Sequence, residues 1–260
     1  MYQPRTYREW YQDTDLVGFT AAVAETDLYV KASRNLQSVA EAAILRYRSA
    51  LELYIADHPG FLTSLEPVSV APGAPELVRE MADAAQAVGV GPMAAVAGAI
   101  AERVGRELME LSPEVIVENG GDIFVSALGD RLVGVYAGDS PYTSNIALEI
   151  SGNSMPLGVC TSSGTVGHSL SLGHADAVIV LSPCTALADA AATAIGNLIQ
   201  DADDIPEGVE FGRVIPGLKG LLVVKGDRMG LWGEVRICNL REDRPAVAGD
   251  NGCREAGAAN

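Results

Sequence analysis

Positive charge is what this sequence has least of. Only 18 Lys and Arg stand against 34 Asp and Glu, a formal net charge of −16 over 260 residues. Nucleic acids and anionic membranes are bound through clustered cations, so neither is expected as a partner. A small phosphate ligand is still allowed, because backbone amides and a metal ion can hold one. Aromatic residues are scarce too, at 5 %. With few rings to stack on, a heterocycle would be gripped mainly by backbone. Apolar runs are short: none reaches 18 residues, and the richest, 88–101, reads as a buried helix. Residues 1–15 are polar and lack the apolar core of a signal peptide, which makes the cytoplasm the expected compartment. The four cysteines, Cys160, Cys184, Cys238 and Cys253, form no Cys-x-x-Cys pair. A zinc ribbon is thereby disfavoured, and free thiols in a reducing compartment are expected.

What remains is an ordinary globular composition, 48 % apolar and 20 % charged. We expect one domain over 1–240 and a disordered Gly, Ala and charged tail over 241–260. Segments 17–24 and 28–32 alternate like a hairpin around Glu25-Thr26-Asp27. Over 35–56, Leu36, Val39, Ala40, Ala43, Ile44, Tyr47, Leu51 and Tyr54 follow a helical rhythm. Helices are also expected over 76–87, from Pro92 to about Leu111, and over 185–200 with Thr185 as N-cap. Strands are expected at 115–117, 146–150 and 177–181. Hairpins are expected for 123–127 with 132–137, and for 221–225 with 231–237. Gly-Asp-Arg occurs in both of these last turns, which suggests a pseudo-repeat near 17–137 and 145–238. Strands in hairpins rather than βαβ units favour an α+β fold of antiparallel sheets with helices packed on them.

Two motifs fail on context. Gly89-Val90-Gly91-Pro92-Met93-Ala94 matches Gly-x-Gly-x-x-Ala, but a helix is expected where a dinucleotide fold needs a strand. Gly167-His168-Ser169-Leu170-Ser171 resembles a nucleophile elbow, but it ends in Ser and a strand follows. Of the three histidines, His58 ends a helix, while His168 and His174 lie in a Ser/Gly-rich loop. His168 could act as base or phosphate contact, or be a structural hydrogen-bonded residue. The segment Thr161-Ser162-Ser163-Gly164 could present hydroxyls and amides to an anion, or be a polar turn. Asn119-Gly120-Gly121-Asp122 follows a strand, where two glycines let a ligand approach the backbone or simply turn the chain. Asp189 and Thr193 share one face of a helix whose other residues there are alanine or small. If buried, they need a partner, and hard oxygen donors suit Mg²⁺ or Ca²⁺.

In order along the chain, Asn119-Gly120-Gly121-Asp122, Thr161-Ser162-Ser163-Gly164 and Ala188-Asp189-Ala190-Ala191-Ala192-Thr193 resemble the motifs of the ApbE superfamily. Its best-known members are Mg²⁺-dependent FAD:protein FMN transferases. The likeness covers about 90–200 and is strongest to a bacterial and archaeal branch of unassigned activity. The resemblance implies the T-fold, a two-module antiparallel arrangement, with Asp189 and Thr193 as metal ligands and a carbonyl from 94–99 beside them. It implies that Asn119, Gly120, Gly121, Asp122, Thr161, Ser162, Ser163 and Gly164 line a flavin nucleotide pocket. It also implies FAD as substrate or ligand, Mg²⁺ as cofactor, His168 as the catalytic group, and a homodimer. The departures are specific. Ala97-Gly98 stands where the transferases carry Lys-Gly, and the 168–174 loop lacks their Asp, Pro and Thr. The expected activity is therefore FMN transfer to an acceptor protein or hydrolysis of the pyrophosphate. The alternative is a protein that binds a flavin or another small ligand without turnover.

Overall fold

The computed structural model describes residues 16–165 and 171–240. The chain starts with a hairpin, β1 (Val17–Val23) and β2 (Thr26–Ala32), as the alternation predicts. Leu28, Val30 and Ala32 point into the core, and Thr20 and Ala22 point out. Next come α1 (Gln37–Asp57), the short α2 (Gly60–Thr63) and α3 (Glu76–Val88). Gly89 ends α3 in the left-handed region, φ +77°, and Pro92 opens a 3₁₀ turn into α4 (Val96–Met109). A helix therefore precedes the two glycines, and the dinucleotide-fold context is absent.

Strands β3 (Val115–Asn119) and β4 (Asp122–Ser126) form the second hairpin. Gly120 and Gly121 make its two-residue turn at φ +69° and +113°, a geometry that disfavours side chains at both positions. After β4 come β5 (Arg131–Gly134), β6 (Ile146–Ile150), β7 (Leu157–Ser162) and β8 (Ala177–Ser182). Then follow α5 (Thr185–Leu198), α6 (Ile205–Arg213), β9 (Gly220–Lys225), β10 (Arg228–Gly233) and β11 (Ile237–Asn239).

Eight strands make one antiparallel sheet in the order β1-β2-β3-β4-β7-β8-β9-β10, and β11-β6-β5 form a small second sheet. The order hairpin, helices, hairpin thus occurs twice along the large sheet. One face carries the helices. Phe124, Cys160, Val178, Val180, Leu221 and Val223 point to that side, among the buried Ala, Leu and Ile of α3 to α6. On the other face, Val125, Val159, Ile179, Leu181 and Leu222 pack against Leu148 and Ile150 of the small sheet. Strands β8 and β9 are covered on both faces, which explains their nearly continuous apolar runs.

Three local expectations are corrected. Segments 123–127 and 132–137 do not pair: β4 pairs with β3 and β7, while β5 pairs with β6 in the other sheet. The Leu128-Gly129-Asp130-Arg131 turn is a crossover between sheets, whereas Gly226-Asp227 closes the true β9–β10 hairpin. Thr161 and Ser162 belong to a strand, not a polar turn: both pair with β8, at Ile179 and Val178, and on the other side the Thr161 N–H bonds the Asp122 carboxyl. Thr185 is not the N-cap of α5. Cys184 holds that position and gives no side-chain cap. The expected tail, 241–260, lies outside the described residues.

Each of the two helices at the centre is capped by the other. The α5 carboxylate of Asp189 accepts the N–H of Gly98 in the first turn of α4, N···O 2.8 Å. The α4 carboxylate of Glu102 accepts the N–H of Thr185 in the first turn of α5, N···O 2.6 Å. Neither helix has a capping side chain of its own. Each exchange satisfies an orphan donor and sets an anion at a positive helix end. Glu102→Ala is expected to lower stability by about 1–2 kcal/mol in urea unfolding, and Glu102→Gln, which keeps an acceptor, by less. An unchanged midpoint for Glu102→Ala would contradict the cap.

Candidate functional site

The reciprocal caps bring three separate segments to one corner at the helix-covered end of the β3–β4 hairpin. Asp189 comes from α5, residues 97–98 from α4, and Asn119 and Asp122 from the hairpin. Asn119 and Asp122 are cross-strand partners, so their side chains share the helix-facing side. Asn119 Nδ2 donates to the carbonyl of Ala97 at 3.0 Å. Asp122 is buried, and its Oδ1 accepts the N–H of Thr161 at 3.2 Å. Gly98 makes the close approach possible. A Cβ there would lie 2.5 Å from the Thr185 carbonyl and 2.8 Å from Asp189 Cβ.

Both carboxyls resist ionisation. Burial pushes Asp122 up from 3.8 to about 7, helped by the charge of Glu118 and opposed by the Thr161 N–H and the Cys160 thiol. Burial also raises Asp189 well above the carboxylate range, and the neighbouring charge of Asp122 adds to it. The N–H groups of Gly98 and Ala97 act the other way on Asp189. The buried Asp122 and the half-buried Asp189 disfavour each other's charge, and a proton or a cation relieves that.

The other predicted residues take different places. Thr193 lies one turn beyond Asp189 and is partly buried. Gly196 continues that face, and a Cβ on it would lie 3.5 Å from Ser162 Oγ. Ser162 is buried there, on the helix side of β7. Thr161 alternates with Cys160, so it offers its backbone N–H to the corner and turns its side chain to the other face. Ser163 and Gly164 leave the strand, and the Gly164 N–H donates to the Ala175 carbonyl. Gly120 is open, while Gly121 donates its N–H to Glu118 Oε1 at 2.9 Å. His168 lies outside the described residues. His174 is exposed and joins the loop to the fold by its backbone, the N–H bonding the Ile199 carbonyl.

Sequence reading missed Cys160. Its thiol is fully buried, donates to the Thr185 carbonyl at 3.4 Å and neighbours Asp122 and Asp189. The alternation in Leu157-Gly158-Val159-Cys160 was the available signal, hidden by the hydroxyl run that follows.

The donors at this corner are mainly oxygens: Asp122, Asp189 and nearby carbonyls, with Thr193 one turn further along α5. That set suits a hard cation such as Mg²⁺. No group of three or more His, Cys, Asp or Glu among the described residues forms a metal cluster. A Mg²⁺ ion keeps several waters and takes phosphate oxygens, so two carboxylates with few other protein donors fit it.

The raised Asp122 carboxyl gives a pH prediction. The folded chain holds this proton up to about pH 7, the unfolded chain only to 3.8. The folded state binds more protons in that window, so this group's contribution to stability falls as pH rises through it. Asp122→Asn keeps an acceptor for Thr161 and removes the charge. Without added metal, its Tm advantage over the unmutated protein should grow with pH across the window, and Mg²⁺ should shrink it. A constant difference would refute the buried charge.

A family model described as "AbpE bacteria" matches residues 8–207. A UPF0280 protein of Methanopyrus kandleri is 44 % identical over 230 residues, 85 % of this chain and 93 % of that one. One from Methanocaldococcus jannaschii is 43 % identical over 219 residues, 82 % of this chain and 89 % of that one. Among solved structures, the apo form of Pseudomonas stutzeri flavinyl transferase ApbE superposes with TM-score 0.55 at 17 % identity. It spans 84 % of this chain and 94 % of its own. Flavin transferase ApbE from Vibrio cholerae gives TM-score 0.55 at 12 % identity, covering 84 % and 96 %. At such identities the likeness is one of fold. By the family model and these relatives, the chain belongs to the ApbE superfamily, in the branch of the UPF0280 proteins.

Proposed function

We propose that the corner formed by Asp122, Asp189, Thr193 and the 97–98 peptide binds the pyrophosphate of FAD together with Mg²⁺, and that the protein cleaves it. The observation that carries this reading is the hydrogen-bond geometry that gathers two carboxyls: Asp189 on the Gly98 N–H, Asn119 on the Ala97 carbonyl of the same peptide, and Asp122, cross-strand from Asn119, on the Thr161 N–H. Fold neighbours named as flavin transferases support the choice of substrate.

In this reading Asp189, with Thr193 one turn on, would hold Mg²⁺, which supplies charge neutralisation on the phosphate oxygens when bound. Asp189 keeps one carboxylate oxygen on the Gly98 N–H, and that bond fixes the direction of the other. Asp122, anchored by the Thr161 N–H, adds the second negative charge the cation requires. The glycine turn at 120–121 leaves room for the substrate beside the hairpin. His168 is the proposed acceptor of the nucleophile's proton. An oxygen nucleophile attacks the FMN phosphorus, the bridging P–O bond breaks, and AMP leaves. Water as nucleophile gives FMN and AMP; a Ser or Thr hydroxyl of an acceptor protein gives an FMN ester and AMP.

A second reading, binding without turnover, is favoured by Ala97 at the position where the transferases carry Lys. Chromatography of FAD incubated with the protein, with and without Mg²⁺ and beside Asp189→Ala, separates the two. AMP that depends on both Mg²⁺ and Asp189 supports cleavage. FAD retained intact supports binding alone. FAD neither bound nor cleaved rejects the flavin assignment.

A further inference from the structure

One peptide group ties the hairpin to the central carboxylate. The C=O of Ala97 accepts from Asn119 Nδ2 at 3.0 Å, and the N–H of Gly98 donates to Asp189 Oδ2 at 2.8 Å. These two atoms belong to the same planar amide, the 97–98 peptide. A hydrogen bond at one end polarises the other end, so Asn119 strengthens the donor that Asp189 meets. The peptide also has little freedom to turn, because a Gly98 Cβ position is already within 3 Å of the Thr185 carbonyl and Asp189 Cβ.

We infer that Asn119 is a positioning residue: through the 97–98 peptide it sets the orientation of the Asp189 carboxylate toward the cation. The role assigned to Asn119 by resemblance is to line the nucleotide pocket. The geometry gives its amide N–H₂ a different task, since one of those hydrogens is committed to the protein itself. This inference rests on the proposed function for the identity of the cation. Outer partners that orient a ligand carboxylate typically alter metal affinity by about 10–100-fold.

The test uses Asn119→Leu in the full chain, a change of similar size that cannot donate, with Asn119→Ala as second variant should the first fold poorly. Calorimetric titration with Mg²⁺ alone is expected to give an affinity about tenfold weaker than in the unmutated protein. Amide exchange at Gly98 is expected to quicken, because the 97–98 peptide that donates it is no longer held at its carbonyl end. FAD binding without Mg²⁺, followed by flavin fluorescence, is expected to weaken by less than the Mg²⁺ affinity does. A folded variant with unaltered Mg²⁺ affinity and unaltered Gly98 exchange would overturn the inference. So would weakened metal-free FAD binding with Mg²⁺ affinity intact, which would make Asn119 a substrate contact. Failure of the unmutated protein to bind Mg²⁺ would instead reject the site reading on which the inference stands, and the inference with it.

Discussion

Asp189→Asn is expected to reduce Mg²⁺-dependent release of AMP from FAD at least about a hundredfold while leaving the fold standing. The reason lies in the two tasks of this carboxylate. One oxygen caps α4 through the Gly98 N–H, and the proposed second task is to carry charge for the cation. Asparagine keeps a neutral oxygen for the cap and discards the charge. It also relieves a half-buried carboxylate of the repulsion from Asp122, so stability should hold or rise. Asp189→Ala removes both tasks, and its urea midpoint should fall by the equivalent of about 1–2 kcal/mol. The pair therefore separates chemistry from capping. Asp189→Asn that releases AMP at the unmutated rate would remove this residue from the metal site. Equal stability loss in both variants would show that the charge itself, not the acceptor, makes the cap.

Gly98→Val is expected to cost about 3 kcal/mol or more, the largest stability loss of any single change discussed for this chain. Its first added carbon would fall 2.5 Å from the Thr185 carbonyl and 2.8 Å from Asp189 Cβ. Neither neighbour is the far end of a flexible side chain. The first is helix backbone and the second is fixed to it, so α4 and α5 must part. Parting them breaks both caps at once, Gly98 to Asp189 and Thr185 to Glu102. Gly73→Ala is the control, since no atom lies within 4 Å of a Cβ there, and it should stay within about 0.5 kcal/mol. Urea unfolding of the two variants decides the matter. A Gly98→Val protein as stable as the control would mean that the helices do not meet as closely as the fold places them.

Local chemistry was well written into the sequence wherever a short segment decides its own shape. The helical rhythm of α1, the glycine turn between β3 and β4 and the proline entry to α4 each depend on residues within a few positions. The hairpin expected at 128–131 failed for the opposite reason. Its turn residues are good, but β4 finds a better partner in β7, and β5 in β6. Alternation fixes which face a residue takes and leaves open which strand lies beside it. The strand β7 was misread because Thr161 and Ser162 are polar, and only its place between β4 and β8 makes extended backbone the better state.

The same division holds for the candidate site. By itself the sequence determined that Asp189 and Thr193 share a helix face, that Asn119 to Asp122 sit at a strand end, and that the motifs run in the order of the ApbE superfamily. The tertiary structure alone decided that Asp122 and Asp189 lie near enough for their charges to interact, that Asn119 and Asp189 hold opposite ends of one peptide, and that Glu102 and Asp189 cap each other's helices. The physical reason is range. Periodicity and turn chemistry act between neighbours in the chain, whereas desolvation, charge repulsion and capping across helices depend on which distant segments the packed core brings together.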